Sequence, residues 1–205
     1  MMYTGERLVP ERFGIGERIV VEHLSRYSFA SRVIRNALPH QGNHLRILDA
    51  PCGVGYGAAL LAEQTQAHVT GVDNDQDTIN HAKRSYCIIP NVEFHVVNLE
   101  LDSPEEAYYD AVVCFEGIEH VHYQDRVARE LCKAVRPGGL IFVSTPRRGG
   151  PGAGSEFHTQ EFAPGELEFL FKPYVSSIEM YGQDLVVTDC KPDANARYYV
   201  LVGTR

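Results

Sequence analysis

The chain has 205 residues, 44% apolar and 22% charged, with a net charge of −8; that is enough for the core of one domain, and it excludes a multi-domain machine, a disordered tail and a fibre. No apolar run approaches the ~18 residues of a membrane span, and no hydrophobic stretch behind a basic start marks a secretory signal. Four lysines in an acidic chain argue against a broad nucleic-acid surface, so a cytoplasmic protein without membrane or nucleic-acid partners is expected, as a monomer or homodimer.

The opening segment, Tyr3-Thr-Gly-Glu-Arg-Leu-Val-Pro-Glu11, is polar and carries Gly and Pro. It reads either as a lid over a site or as a frayed terminus. Residues 1–48 hold seven Arg against four Glu and leave −11 on the remainder; those arginines either pair with the acidic body or bind an anion. Between Glu17 and Leu38, the residues Val20, Leu24, Tyr27, Ile34 and Leu38 recur near helical spacing until Pro39 stops the run, which predicts an amphipathic helix.

Short β-branched runs at 45–50, 68–72, 92–97, 111–115 and 140–144 then alternate with helical stretches at 58–66, 76–86 and 124–135. Strand–helix–strand order predicts an α/β fold, a Rossmann-like doubly wound sheet that is mostly parallel with helices on both faces. After a Gly/Pro-rich loop at 147–154, a short helix near 166–171 precedes two strand-like runs, 175–181 and 198–202, suited to antiparallel pairing at a sheet edge. Five widely spaced cysteines (Cys52, Cys87, Cys114, Cys132, Cys190) form no CxxC pair and read as reduced thiols.

Ile47-Leu-Asp-Ala-Pro-Cys-Gly-Val-Gly-Tyr-Gly57 leads from a buried strand into a helix, which is where such sheets bind ligands. Gly53 and Gly55 let the backbone approach a ligand, and Gly57 lets helix and strand pack closely. Asp73 ends the second strand and can accept both hydroxyls of a ribose. Gly53-x-Gly55-x-x-Ala58 also fits a dinucleotide fingerprint, but here a helix comes first and there is no room for a separate catalytic domain.

With Leu48–Gly57, Gly71-Val-Asp-Asn74, Asn98-Leu99, Tyr109–Glu116 and Arg136-Pro-Gly-Gly-Leu-Ile-Phe-Val143 in order, the chain resembles the class I S-adenosylmethionine-dependent methyltransferases from about Leu45 to Pro146. The resemblance implies a seven-stranded sheet with an antiparallel last strand in a single domain: lid and helix 1–44, cofactor core 45–146, acceptor side 147–205. It implies S-adenosyl-L-methionine as donor, S-adenosyl-L-homocysteine as product, and a cofactor site of Asp49, Cys52, Gly53, Gly55, Asp73, Asn74, Asn98, Leu99, Phe115 and Glu116. Asp49 and Gly53 would lie along the methionine, Asp73 on the ribose, and Asn98 with the Leu99 backbone at the adenine. The family usually has Asp where Asn98 stands; the amide oxygen can still accept the adenine amino group, or the residue only shapes a turn.

The methyl acceptor needs alignment and, if it is a hydroxyl, a base. Glu116, Glu119 and His120 share one face if the segment after the fourth strand is helical, and His158 follows in Glu156-Phe-His-Thr-Gln-Glu-Phe162. This pattern resembles the metal-assisted ubiquinone-biosynthesis and small-RNA terminal 2′-O-methyltransferases. The resemblance implies that Glu116, Glu119, His120 and His158 hold Mg2+ or another divalent cation, with Glu119, His120 and His158 as the catalytic set. Without a metal, His158 is the candidate base, Glu116 lies near the cofactor and His120 caps or packs. His122 and Tyr123 read as exposed, and Arg7, His23 and Tyr27 as an acceptor pocket. Methyl transfer to a hydroxyl of a small molecule (phenol, polyketide or sugar) is the expected activity; an RNA 2′-O-methyltransferase and an inactive cofactor-binding module are the alternatives.

Overall fold

The computed structural model describes residues 8–10, 16–38, 44–150, 153–187 and 196–205. The lid expected at 3–11 and the pocket residue Arg7 therefore lie mostly outside the described residues, as does Cys190. The elements run α1 (Arg18–Ala37), β1 (Arg46–Asp49), α2 (Tyr56–Thr65), β2 (His68–Asp73), α3 (Gln76–Ser85), β3 (Val92–Val96), β4 (Tyr109–Phe115), α4 (Gln124–Ala134), β5 (Val135–Pro146), α5 (Pro164–Phe171), β6 (Ser177–Gln183) and β7 (Tyr198–Thr204).

The strand order is β3-β2-β1-β4-β5-β7-β6. The first five strands are parallel, and β7 runs antiparallel between β5 and β6. Strands are added outward from β1 to β2 and β3 on one side and to β4 and β5 on the other, so the connections that leave the carboxyl ends of β1 and β4 diverge and leave a crevice. β4 is buried along its whole length, as a central strand covered on both faces must be. Successive residues of the strands alternate between two apolar layers. Ile47, Val113 and Phe142 pack with Tyr27 and Ile34 of α1 and Leu61 of α2; Leu48, Val112 and Ile141 pack with Leu131 of α4 and with Leu167 and Phe171 of α5.

One strand boundary lies well away from the sequence reading, and one glycine packs against a different partner. β5 starts five residues earlier than the apolar run at 140–144, because Val135 already pairs with Tyr109; the register then skips so that Leu140 pairs with Ala111. The intervening Arg136–Gly139 turn is held by the Arg136 guanidinium on Asp110. Gly57 does admit a close neighbour, but that neighbour belongs to α1 and not to a strand: a Cβ there would lie 2.0 Å from Cζ of Tyr27. The α1–α2 packing closes over one end of the crevice.

Candidate functional site

The crevice is a cavity of about 390 Å³, within the size range of small-molecule sites. Its wall includes Cys52, Gly53, Asp73, Asn74, Asn98, Leu99, Phe115, Glu116, Glu119, His120 and His158. His23 and Tyr27 of α1 line it too. Asp49 and Gly55 do not. Asp49 is fully buried one layer behind, where its carboxylate accepts from the Tyr27 hydroxyl at 3.1 Å. Gly55 has φ +92, and a Cβ there would meet Phe94 and Ala82 at 2.8 and 2.9 Å; its bareness serves packing against β3 and α3.

At one end, Asp73 shapes the glycine turn. Its Oδ2 accepts from Gly53 N at 3.2 Å and its Oδ1 from Asp75 N at 3.0 Å. The Asn98 amide oxygen accepts from Glu100 N at 2.9 Å, which is the turn-forming bond, while the residue still lines the cavity beside Leu99.

At the other end, the segment after β4 is not helical, so the shared helical face expected for Glu116, Glu119 and His120 does not form. Glu116 has φ +50, a left-handed conformation that a right-handed helix cannot include. A turn follows, closed by His120 N on Gly117 O, and the Glu119 carbonyl is taken instead by Thr159 N at 2.8 Å. Glu116 thereby parts from its neighbours: its Oε1 accepts from Ser144 Oγ at 2.8 Å and lies 3.9 Å from the buried Arg26 guanidinium.

Glu119, His120 and His158 do come together. One ligand atom from each lies within 4.8 Å of the others. The loop that carries His158 clasps this turn: Phe157 O meets His120 Nδ1 at 3.0 Å, and Thr159 Oγ1 donates to Val121 O at 2.6 Å. The Glu119 side chain is wholly buried, and among the described residues neither carboxyl oxygen makes a hydrogen bond of ordinary geometry, although the Thr145 hydroxyl lies near enough to act on it. Burial, then the nearby Glu116 charge, pushes its carboxyl well above the ordinary carboxylate range. Burial makes this carboxyl hold its proton, and beside two imidazoles it forms a donor set in which a cation can take that proton's place.

The third wall was only partly legible from the sequence. His23 Nδ1 and the Tyr56 hydroxyl are 2.7 Å apart; burial, then the Arg26 charge, pushes His23 well below its ordinary value, so the ring is neutral. Tyr56 stands inside the glycine turn itself, a signal that its position offered. Tyr198 arrives from β7 and stacks under Arg26 at 4.4 Å; nothing in its local sequence marks it. His122 and Tyr123 are exposed.

A methyltransferase-domain family model matches residues 21–172. A probable S-adenosylmethionine-dependent methyltransferase of Mycolicibacterium smegmatis is 36% identical over 176 residues, 82% of this chain and 63% of that protein. A ubiquinone biosynthesis O-methyltransferase of Aeromonas salmonicida is 36% identical over 106 residues, 50% of this chain and 44% of that protein. The chain thus spans less than two thirds of the length of these curated relatives. A TehB-like SAM-dependent methyltransferase of Corynebacterium glutamicum superposes with a TM-score of 0.61 at 20% identity, over 89% of this chain and 98% of that one, a likeness of fold. Fold, motif order and family match agree: the chain belongs to the class I S-adenosylmethionine-dependent methyltransferase family.

Proposed function

We propose that the protein transfers a methyl group from S-adenosylmethionine to a hydroxyl of a small molecule, with a divalent cation held by Glu119, His120 and His158. The observation that carries this reading is that the strand-end acid Asp73 and the Glu119–His120–His158 trio line one cavity. Resemblance to a ubiquinone biosynthesis O-methyltransferase over half the chain supports oxygen as the acceptor atom.

Asp73 would accept the two ribose hydroxyls while its backbone bonds keep the glycine turn open. Asn98 and Leu99 would flank the adenine, and Cys52, Gly53, Asn74 and Phe115 would complete the cofactor's bed. Bound there, S-adenosylmethionine supplies a methyl group on a sulfonium and leaves as S-adenosylhomocysteine. A divalent cation on the trio would supply a positive charge that draws in the acceptor's oxygen and lowers the pKa of its hydroxyl. The neutral His23–Tyr56 pair and Tyr27 form an aromatic wall that orients the acceptor and excludes water.

Titration calorimetry with S-adenosylhomocysteine and with NAD, followed by turnover on a mixed phenol and sugar panel, tests the reading. Binding of the former alone, with methylated product, is the expected result; tight NAD binding or cofactor binding without any turnover would overturn it.

A further inference from the structure

Glu161 lies outside the cavity wall, yet its carboxylate reaches two groups that matter to the site. Its Oε1 lies 3.3 Å from His158 Nδ1 and also accepts from the backbone N–H of Gly154, at the end of the glycine-rich loop. His158 is nine-tenths buried at its side chain and Glu161 four-fifths, so neither is a loose surface contact. An imidazole that donates from Nδ1 to a carboxylate carries no proton on Nε2 when neutral. We propose that Glu161 is a positioning residue: it fixes the tautomer and orientation of His158 so that Nε2, the nitrogen opposite, presents a lone pair to the cavity. The Gly154 N–H matters because it pins the carboxylate from the other side, leaving the oxygen one place to stand. His120 is held by a different device, the carbonyl of Phe157 at 3.0 Å, and its ring meets the His158 ring edge to face with centroids 5.0 Å apart.

The inference rests on the reading of the trio as the reactive site, but its test does not. Long-range proton–nitrogen correlation spectra of the metal-free chain at pH 8 report which ring nitrogen of His158 carries the proton. Wild type and Glu161→Gln, whose amide oxygen can take both donors, are expected in the Nδ1–H form; Glu161→Ala is expected to shift toward Nε2–H. An Nε2–H ring in the wild type, or an unchanged ring in Glu161→Ala, overturns the proposal, and the wild-type spectrum decides it even if the alanine variant does not fold. Calorimetric titration with Mn2+ then reads the consequence, an affinity about 10- to 100-fold weaker in Glu161→Ala than in wild type. Absence of Mn2+ binding to the wild type would instead remove the cation from the proposed function, while the tautomer result stands.

Discussion

The hydroxyl of Tyr27 in α1 donates to the carboxylate of Asp49 at the end of β1 across 3.1 Å, and both groups are buried. The bond ties the helix that roofs the cavity to the strand that floors it. Burial pushes the Asp49 carboxyl well above its ordinary range, the Tyr27 bond acts against that, and Asp73 adds to it. In the unfolded chain the group titrates near ~3.9. Between that value and the raised folded value the native state keeps a proton that the unfolded chain has lost. The stability that Asp49 contributes is therefore fully present below this window and is lost as pH climbs through it. Urea unfolding from pH 4 to 9 is expected to show that slope, and Asp49→Asn to flatten it; an equal slope in the variant would refute the assignment. Tyr27→Phe should carry the fall to higher pH and cost about 1–3 kcal/mol.

Gly57→Ala sets two effects against each other. Alanine favours a helix interior over glycine by ~1 kcal/mol, but its Cβ would stand 2.0 Å from the Tyr27 ring. That ring is held by Asp49 and has little room to retreat, and overpacking costs about 1–3 kcal/mol. A net loss of stability is expected in thermal unfolding, together with weaker S-adenosylhomocysteine binding as α1 is pushed off the cavity. Retained affinity would mean that α1 yields freely.

The parallel core and the glycine turn were legible because both write themselves into local sequence: buried strands as short β-branched runs, the turn as glycines between a strand and a helix. Asp73 was legible for the same reason, since it ends its strand. What local pattern could not supply was any relationship set by distant register. Tyr198 enters the wall because β7 inserts beside β5, and Asp49 stands behind the cavity with the Tyr27 hydroxyl and the Ala58 backbone on its carboxyl. Glu116 misled by spacing: an i, i+3, i+4 pattern implies a shared face only on a helix, and its left-handed backbone together with the Thr159 clasp on the Glu119 carbonyl rules the helix out. His158 still meets Glu119 and His120, because the clasp brings its loop to them.

Asp73→Ala removes the proposed acceptor of the ribose hydroxyls and also the bonds to Gly53 N and Asp75 N. A hydrogen bond to a charged group is worth about 1.5–3 kcal/mol, and each 1.4 kcal/mol is tenfold. Calorimetry with S-adenosylhomocysteine is expected to show affinity lower by about 10- to 100-fold. Asp73→Asn, which keeps one acceptor oxygen, should fall between. Unchanged affinity in both would take Asp73 out of the cofactor site.

The two ends of the cavity should separate in kinetics. Glu119→Ala and His158→Ala act on the acceptor side, some way from Asp73, so S-adenosylhomocysteine affinity is expected to hold while kcat falls by about 10²–10⁴-fold, the span of a lost acid–base or cation contribution. EDTA should depress wild-type turnover to a similar level, and added Mg2+ or Mn2+ should restore it in the wild type but not in Glu119→Ala. The chelator arm decides between two chemistries for one imidazole. If turnover is untouched by EDTA yet His158→Ala remains inactive, the cation is struck out. His158, oriented by Glu161, then takes the hydroxyl's proton itself.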